Sequence, residues 1–182
     1  MKRKVIIFLL AALVCGSVSA QQRKDAAPYY NGIGGTLGFM NGVTFKTFPT
    51  NHFAIQLDLG YRFIADYRTG AIPLVFTFNP NFMYEGACGN GFYWFIGGGL
   101  NIGGSLGRYY RDAPHRNEYY RYGNFVLGAN LIGGAEYKFA NIPLALQVDA
   151  RPGMFVFMNH RQHDPYLLFD YNFFNVSARY TF

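Results

Sequence analysis

The amino-acid sequence predicts an all-β fold: an eight-stranded antiparallel up-and-down transmembrane β-barrel at residues 21–182, preceded by a cleaved signal peptide at residues 1–20. Three observations lead to this prediction. Hydrophobic residues make up 51% of the 182-residue chain, and in most segments they recur at every second position, the period of a β-strand. Charged residues make up only 14%, against roughly 25% in soluble domains. The 22 glycines argue against a bundle of membrane helices.

The first twenty residues have the features of a targeting segment. Basic residues at 2–4 precede an apolar stretch at 5–14, and residues 18–20 offer a cleavage site before Gln21. This order is typical of a secretory signal peptide, and the apolar stretch is too short to span the roughly 30 Å of a bilayer core. Its removal lowers the formal net charge from +6 to +3, because three of the basic residues leave with it.

Eight segments of the remaining chain alternate between apolar and polar residues. In the segment 55–63, Leu57 and Leu59 fall on one face, whereas Gln56 and Asp58 fall on the other. The other segments follow the same rule with varying regularity. The predicted strands are 33–39, 43–48, 55–63, 74–84, 92–106, 125–139, 144–151 and 174–182.

Turn-forming residues separate these strands. Short turns are predicted at 41–42, 49–51, 88–91 and 141–143, and longer connections at about 64–72, 107–124 and 159–170. Short and long connections therefore alternate after the first hairpin, as they do in membrane barrels.

The segment 86–107 has an alternative interpretation as a membrane helix, because its 22 residues carry no charge. Nine of these residues are glycine, and each costs about 1 kcal/mol in a helix. We therefore expect a strand in which Gly97, Gly99 and Gly103 face a narrow lumen.

The charged residues of the strands decide between a membrane barrel and a soluble sandwich or barrel. They are too sparse for a face turned to water, so we expect them inside the barrel. An eight-stranded barrel is only wide enough to be filled by side chains, and buried charges there must be paired. We expect Glu85, Glu136, Lys138, Lys46 and Arg179 near the end that carries the termini, and the others nearer the middle. The predicted interior charge network is Lys46, Asp58, Arg62, Glu85, Glu136, Lys138, Asp149, Arg151 and Arg179.

Three segments resemble the small outer-membrane β-barrel proteins of Gram-negative bacteria, of the eight-stranded OmpA/OmpX type. They are 133–139, 141–146 followed by Asp149, and the terminal 177–182. The resemblance implies integral location in the outer membrane, contact with its lipid and lipopolysaccharide, and folding by the outer-membrane assembly machinery. It also implies that Tyr180 and Phe182 form the terminal assembly signal.

A non-enzymatic role in envelope structure or surface adhesion is the leading functional expectation, with no catalytic residues, metal or cofactor. One alternative is a lipid A-modifying enzyme, for which Ser105 with His160 or His163 and Asp164 offers a hydrolytic set. The same histidines and Asp164 offer oxygen and imidazole ligands to a metal ion. A small-solute channel or ion path is a third alternative, which the expected charge pairs oppose.

The connection around residues 108–122 is the candidate recognition element, since arginine and tyrosine are favoured at binding surfaces. Its partner would be lipopolysaccharide phosphate, a host surface or another envelope protein, whereas nucleic acid is not expected for an exported protein. An extended hairpin over the lipid headgroups is the alternative interpretation. The candidate residues are Arg108, Tyr109, Tyr110, Arg111, Arg116, Tyr119, Tyr120, Arg121 and Tyr122.

Overall fold

The computed structural model describes residues 27–64, 74–113, 116–159 and 166–182, and for 106–113, 116–124, 159 and 166 only the path of the backbone. The predicted signal peptide, 1–20, lies outside the described residues. The described part consists of strands and turns. It contains no helix long and apolar enough to cross a membrane.

Ten antiparallel strands form one sheet. Their bounds are β1 Asn31–Gly38, β2 Met40–Thr47, β3 Phe53–Phe63, β4 Leu74–Gly89, β5 Phe92–Ala113, β6 Arg116–Lys138, β7 Leu144–Ala150, β8 Gly153–Asn159, β9 Tyr166–Asp170 and β10 Asn175–Thr181. Each pairs with its neighbours in the order β5, β4, β3, β2, β1, β10, β7, β6, β8, β9, and β5 also pairs with β6.

The closed barrel has eight strand positions around its wall, here called staves. Ten strands fill them, because two staves are each broken into two strands. β7 and β8 both pair with β6, and they are separated at Arg151 and Pro152, where proline offers no backbone donor. β9 and β10 are separated at 171–174. The pairings of β5 with β6 and of β1 with β10 close the wall. The predicted eight-stranded antiparallel up-and-down barrel is therefore confirmed.

The first turn was predicted at the wrong residues. Asn41 and Gly42 lie within β2, opposite Tyr61 and Gly60, and the chain reverses instead at Phe39. The Asn41 amide explains the difference: it donates to the Gly38 carbonyl, and its oxygen accepts from the Gly38 N–H. Gly38 has φ of 140°, which favours glycine. Gly38 and Asn41 therefore stabilise the turn from positions on either side of Phe39 and Met40.

Most of the long connection predicted at 107–124 is strand, which agrees with the alternative interpretation of this segment as an extended hairpin. β5 and β6 stay paired from Gly107 opposite Tyr122 to Ala113 opposite Arg116. Among the described residues, the outer neighbours β4 and β8 pair only as far as Leu106 and Asn124, so these residues form a two-stranded extension, here called the ribbon, beyond the described barrel wall. The alternation of apolar and polar residues ends at this segment, and its loss suggested a loop. The tyrosines of the segment nevertheless favour strands. In the connection predicted at 159–170, β9 likewise occupies the last five residues.

The two faces of the wall are inverted relative to a soluble barrel. Polar and charged side chains point inward and are buried, whereas large apolar side chains point outward and are exposed. On β3, for example, Gln56 and Asp58 are fully buried while Leu59 is 60% exposed. Outward positions of β4 continue the apolar surface with Phe76, Phe78, Phe82 and Tyr84.

Gly97 and Gly103 on β5 are required by the close approach of the neighbouring strand β4. A Cβ atom placed on Gly103 would overlap the carbonyl oxygen of Phe76, and one on Gly97 would overlap that of Phe82. Gly133 on β6 differs, since the nearest atom to its Cβ position is the Phe95 carbonyl oxygen at 3.7 Å. The backbones of β4 and β5 can therefore approach each other this closely only where β5 has glycine.

We expect Gly103→Ala to lower the free energy of unfolding by roughly 1 to 3 kcal/mol, because backbone must move to admit the methyl group. Gly133→Ala is the matched control and should change it by less than about 0.5 kcal/mol. Urea titration of the folded barrel in detergent micelles measures both. Equal stability of the two variants would contradict the packing argument.

Candidate functional site

The lumen is the site that the fold builds, and side chains fill it in successive layers. Its terminus end, where Asn31 and Phe182 lie, is closed by an apolar cluster that we call the terminus-end cluster. Each member is buried or nearly so. The cluster consists of Tyr29, Phe48, Ala54, Met83, Phe95, Ile132 and Ala145.

The first charged layer centres on Lys46 of β2. Its Nζ lies 2.7 Å from Glu85 Oε2 and 2.9 Å from Glu136 Oε2, and all three side chains are buried. Arg179 Nη1 reaches the same Glu136 oxygen at 3.0 Å and also donates to Gln147 Oε1 at 2.8 Å. Two cations and two carboxylates therefore balance within this layer. The inward parity of alternate strand positions places them together.

The middle layer centres on Arg151, at the break between β7 and β8. Its Nη1 lies 2.7 Å from Asp58 Oδ2, and its Nε lies 2.6 Å from Asp149 Oδ1. The two carboxylates face one guanidinium, so side-chain amides complete their coordination. Asp58 and Asp149 accept from the amides of Gln56, Asn81, Gln147 and Asn175.

The third charged layer pairs Arg62 of β3 with Asp170 of β9, whose Oδ2 lies 2.7 Å from Arg62 Nη1. Nη2 donates to the side-chain oxygens of Asn101 and Asn79. The guanidinium carbon also lies 5.1 Å from the centre of the Phe155 ring, a cation–π distance. Asp170 was missed because 166–170 lacks alternation and was assigned to a loop.

A second apolar cluster closes the lumen at the ribbon end, above Arg62. From the sequence, a charge network was predicted in the lumen, and no prediction of an apolar cluster there, here called the ribbon-end cluster, was made. Apart from Ile64, which directly follows β3, its residues lie in strands whose outward positions are also apolar, so hydropathy does not distinguish the inward face from the outward one. The cluster consists of Ile64, Val75, Val126, Phe155, Phe157 and Leu168.

Eight of the nine residues of the predicted charge network are buried in the lumen, and Lys138 is not among them. Lys138 is the last residue of β6, and its Nζ donates to the carbonyl oxygens of Phe139 and Ile142 in the adjoining turn, at 2.7 and 3.0 Å. Lys138 lies two positions after the buried Glu136 on β6, and therefore on the same face of the strand. At the strand end, however, backbone carbonyls and solvent are closer than the buried carboxylates.

Of the predicted catalytic and metal-binding residues, the structure describes only Ser105. Ser105 lies on β5 opposite Val75, is buried in the lumen, and its hydroxyl has no hydrogen-bond partner among the described residues. His160, His163 and Asp164 lie outside the described residues. Within the described ranges, no group of three or more His, Cys, Asp or Glu residues could hold a metal ion.

The remaining predicted sites lie at the two ends of the barrel. In the backbone register of the ribbon, Arg108 lies opposite Arg121, and Tyr110 lies opposite Tyr119. At the terminus end the Tyr180 and Phe182 rings stack with centres 6.3 Å apart and are exposed on the outer face. In comparisons with known proteins, no family model, no curated protein and no solved structure matches this chain.

We expect Arg62→Ala and Asp149→Ala each to lower the free energy of unfolding by roughly 3 to 5 kcal/mol, because each leaves a buried partner charge uncompensated. Lys138→Ala is the control, since it removes a cation that neutralises no buried carboxylate. Its effect should stay below about 1 kcal/mol. Equilibrium urea unfolding in micelles gives the three values, and a Lys138→Ala effect as large as the other two would refute the layered pairing.

Proposed function

We propose that this protein is a non-enzymatic integral barrel of the Gram-negative outer membrane. Its lumen is closed by side chains, and its ribbon supplies surface recognition or adhesion. The observation that carries the proposal is the inverted wall: the buried charged residues of the described strands are paired inside, whereas the outer face is apolar. A surface this apolar is unstable in water but suits hydrocarbon.

The height of the apolar surface supports a membrane location. On β3 the outward residues run from Phe53 to Phe63, ten residues further along the strand. At about 3.3 Å per residue and a tilt of about 40°, this corresponds to roughly 25 Å, the height of the apolar band in such barrels. Aromatic residues gather at both levels, as they do at membrane interfaces. Exposed examples are Phe53, Tyr84, Phe92, Trp94 and Tyr180 at the terminus end, and Tyr61, Phe63, Phe76, Tyr171 and Phe173 toward the other end.

The connections orient the barrel in this proposal. Those at the terminus end, 48–52, 90–91 and 139–143, contain five residues or fewer. Outer-membrane barrels have short turns on the periplasmic side and longer connections outside. The terminus end therefore faces the periplasm, where the assembly machinery would recognise Tyr180 and Phe182, and the ribbon projects from the cell.

The two alternative functions are less favoured by the geometry. A small-solute channel needs an open lumen, whereas three charged layers and two apolar clusters occupy this one. A lipid A-modifying enzyme needs a nucleophile accessible to lipid, whereas Ser105 is only 1% exposed and points inward. Recognition through the ribbon is therefore the function that we propose.

We expect residues 21–182, produced in a Gram-negative host, to fractionate with the outer membrane and to change gel mobility on boiling. A closed barrel resists detergent unfolding, which gives the mobility change. In planar bilayers the same preparation should show no steady conductance. Recovery as a soluble periplasmic protein would refute the membrane proposal, and stable large pores would refute the closed lumen.

The ribbon proposal predicts electrostatic binding to lipopolysaccharide phosphates. Replacing Arg108, Arg111, Arg116 and Arg121 with glutamine should weaken binding to lipopolysaccharide vesicles at least tenfold, and salt should weaken wild-type binding because exposed charges are screened. Replacement of the same four by lysine keeps the charge and serves as the matched control. Vesicle co-sedimentation measures all three proteins. Equal binding of the glutamine variant would exclude lipopolysaccharide as the partner and leave a host or envelope protein.

A further inference from the structure

Residues 27–30 precede the first strand, yet they do not lead away from the barrel. The Tyr29 ring belongs to the terminus-end cluster and meets the Phe48 ring edge-on, with centres 5.1 Å apart. Ala27 packs against the same cluster. Tyr30, the next residue, is 79% exposed. Of two adjacent tyrosines, one therefore fills the lumen and the other points away from it.

Backbone hydrogen bonds fix this segment on both sides of the mouth. The carbonyl of Tyr30 accepts from the Phe48 N–H at 3.0 Å, in the connection between β2 and β3. Asn31 and Phe182 exchange two hydrogen bonds, each 2.9 Å long, at the seam where β1 meets β10. The segment therefore joins the closing seam of the barrel to a turn on the adjacent hairpin.

Tyr29 lies on the outer side of the cluster. It and Phe48 keep 9% and 7% exposure, whereas the other members keep 2% or less. Lys46 lies directly behind them, with its Nζ 5.1 Å from the centre of the Phe48 ring and 5.2 Å from that of Phe95. Gly32 makes room for the Tyr29 ring, because a Cβ there would lie 3.1 Å from Tyr29 Cε2.

We propose that residues 27–30 are an internal seal, in which the Tyr29 ring closes the terminus end of the lumen and keeps water from the ion pairs of Lys46. The seal depends on the barrel fold and goes beyond the proposed surface function, so either can fail without the other. Ion pairs among Lys46, Glu85 and Glu136 are strongest in a dry environment. A seal anchored on Asn31 and Phe182 forms only once the seam has closed.

The ring carries this role and the hydroxyl does not. The Tyr29 hydroxyl is buried near the Glu136 carboxylate and forms no well-aligned hydrogen bond with the described residues. Burial, and after it the negative charge of Glu136, raises the pKa of Tyr29 well above its ordinary value, so the hydroxyl stays neutral. Tyr29→Phe should therefore preserve the seal, and Tyr29→Ala should open it.

Chemical labelling of lysine tests the seal on the full mature chain, folded in micelles and verified by its gel mobility without boiling. Reductive methylation followed by mass spectrometry reports Lys46, behind the seal, and Lys138, on the rim, in the same sample. In Tyr29→Ala we expect Lys46 to react at least tenfold faster than in the wild type, with the Lys138 rate unchanged. Tyr29→Phe and the matched control Tyr30→Ala should both react as the wild type does.

Two results would overturn the seal: Lys46 remaining protected in folded Tyr29→Ala, or accelerating equally in Tyr30→Ala. If Tyr29→Ala does not assemble, Tyr29→Leu replaces it, because leucine keeps apolar volume but cannot cover the mouth as the ring does. Lys46 in Tyr29→Leu should then react at least threefold faster than in the wild type. Protection equal to the wild type in that variant would also overturn the proposal.

Discussion

The pairing of buried charges in a lumen with no room for bulk water is the constraint on which the rest of the structure depends. Eight strands leave an interior that side chains can fill, and an unpaired charge there costs several kcal/mol. Lys46 and Arg151 each meet this constraint by binding carboxylates from two different staves, and Arg62 meets it by binding Asp170 of β9. The layers thereby tie together strands that are distant around the wall.

In the membrane location that we propose, the wall must satisfy its own backbone groups, and the two broken staves show how these groups are paired. Their breaks lie side by side: the Arg151 N–H donates to the Asn172 carbonyl at 2.6 Å. The Pro152 carbonyl accepts from Leu131 on one side, and the Phe174 carbonyl accepts from Phe39 on the other. The same break brings Arg151 inward between Asp58 and Asp149. An irregularity of the wall thus builds the middle charged layer.

Strand parity explains both what the sequence revealed and what it concealed. Alternation identified every stave and the inward direction of eight network residues, because one slip of register would turn each of them outward. Where both faces of a strand are apolar, alternation does not indicate which residues point inward. The ribbon-end cluster and Asp170 were therefore not predicted. Alternation also does not indicate where a strand ends, and Lys138 was therefore predicted to lie in the lumen. Tyr29 carried no signal because it precedes the first strand, and only tertiary packing brings it into the lumen.

The closed lumen determines where recognition can occur in the function that we propose. A ligand inside the barrel would have to displace groups such as Arg62 and Asp170, leaving buried charges without partners at a cost of several kcal/mol. The ribbon has no such cost, because its paired backbone extends beyond β4 and β8 and its strands have no further neighbours among the described residues. A filled barrel of this kind therefore acts as a rigid support, and selection can change the ribbon without disturbing the charged layers that hold the support together.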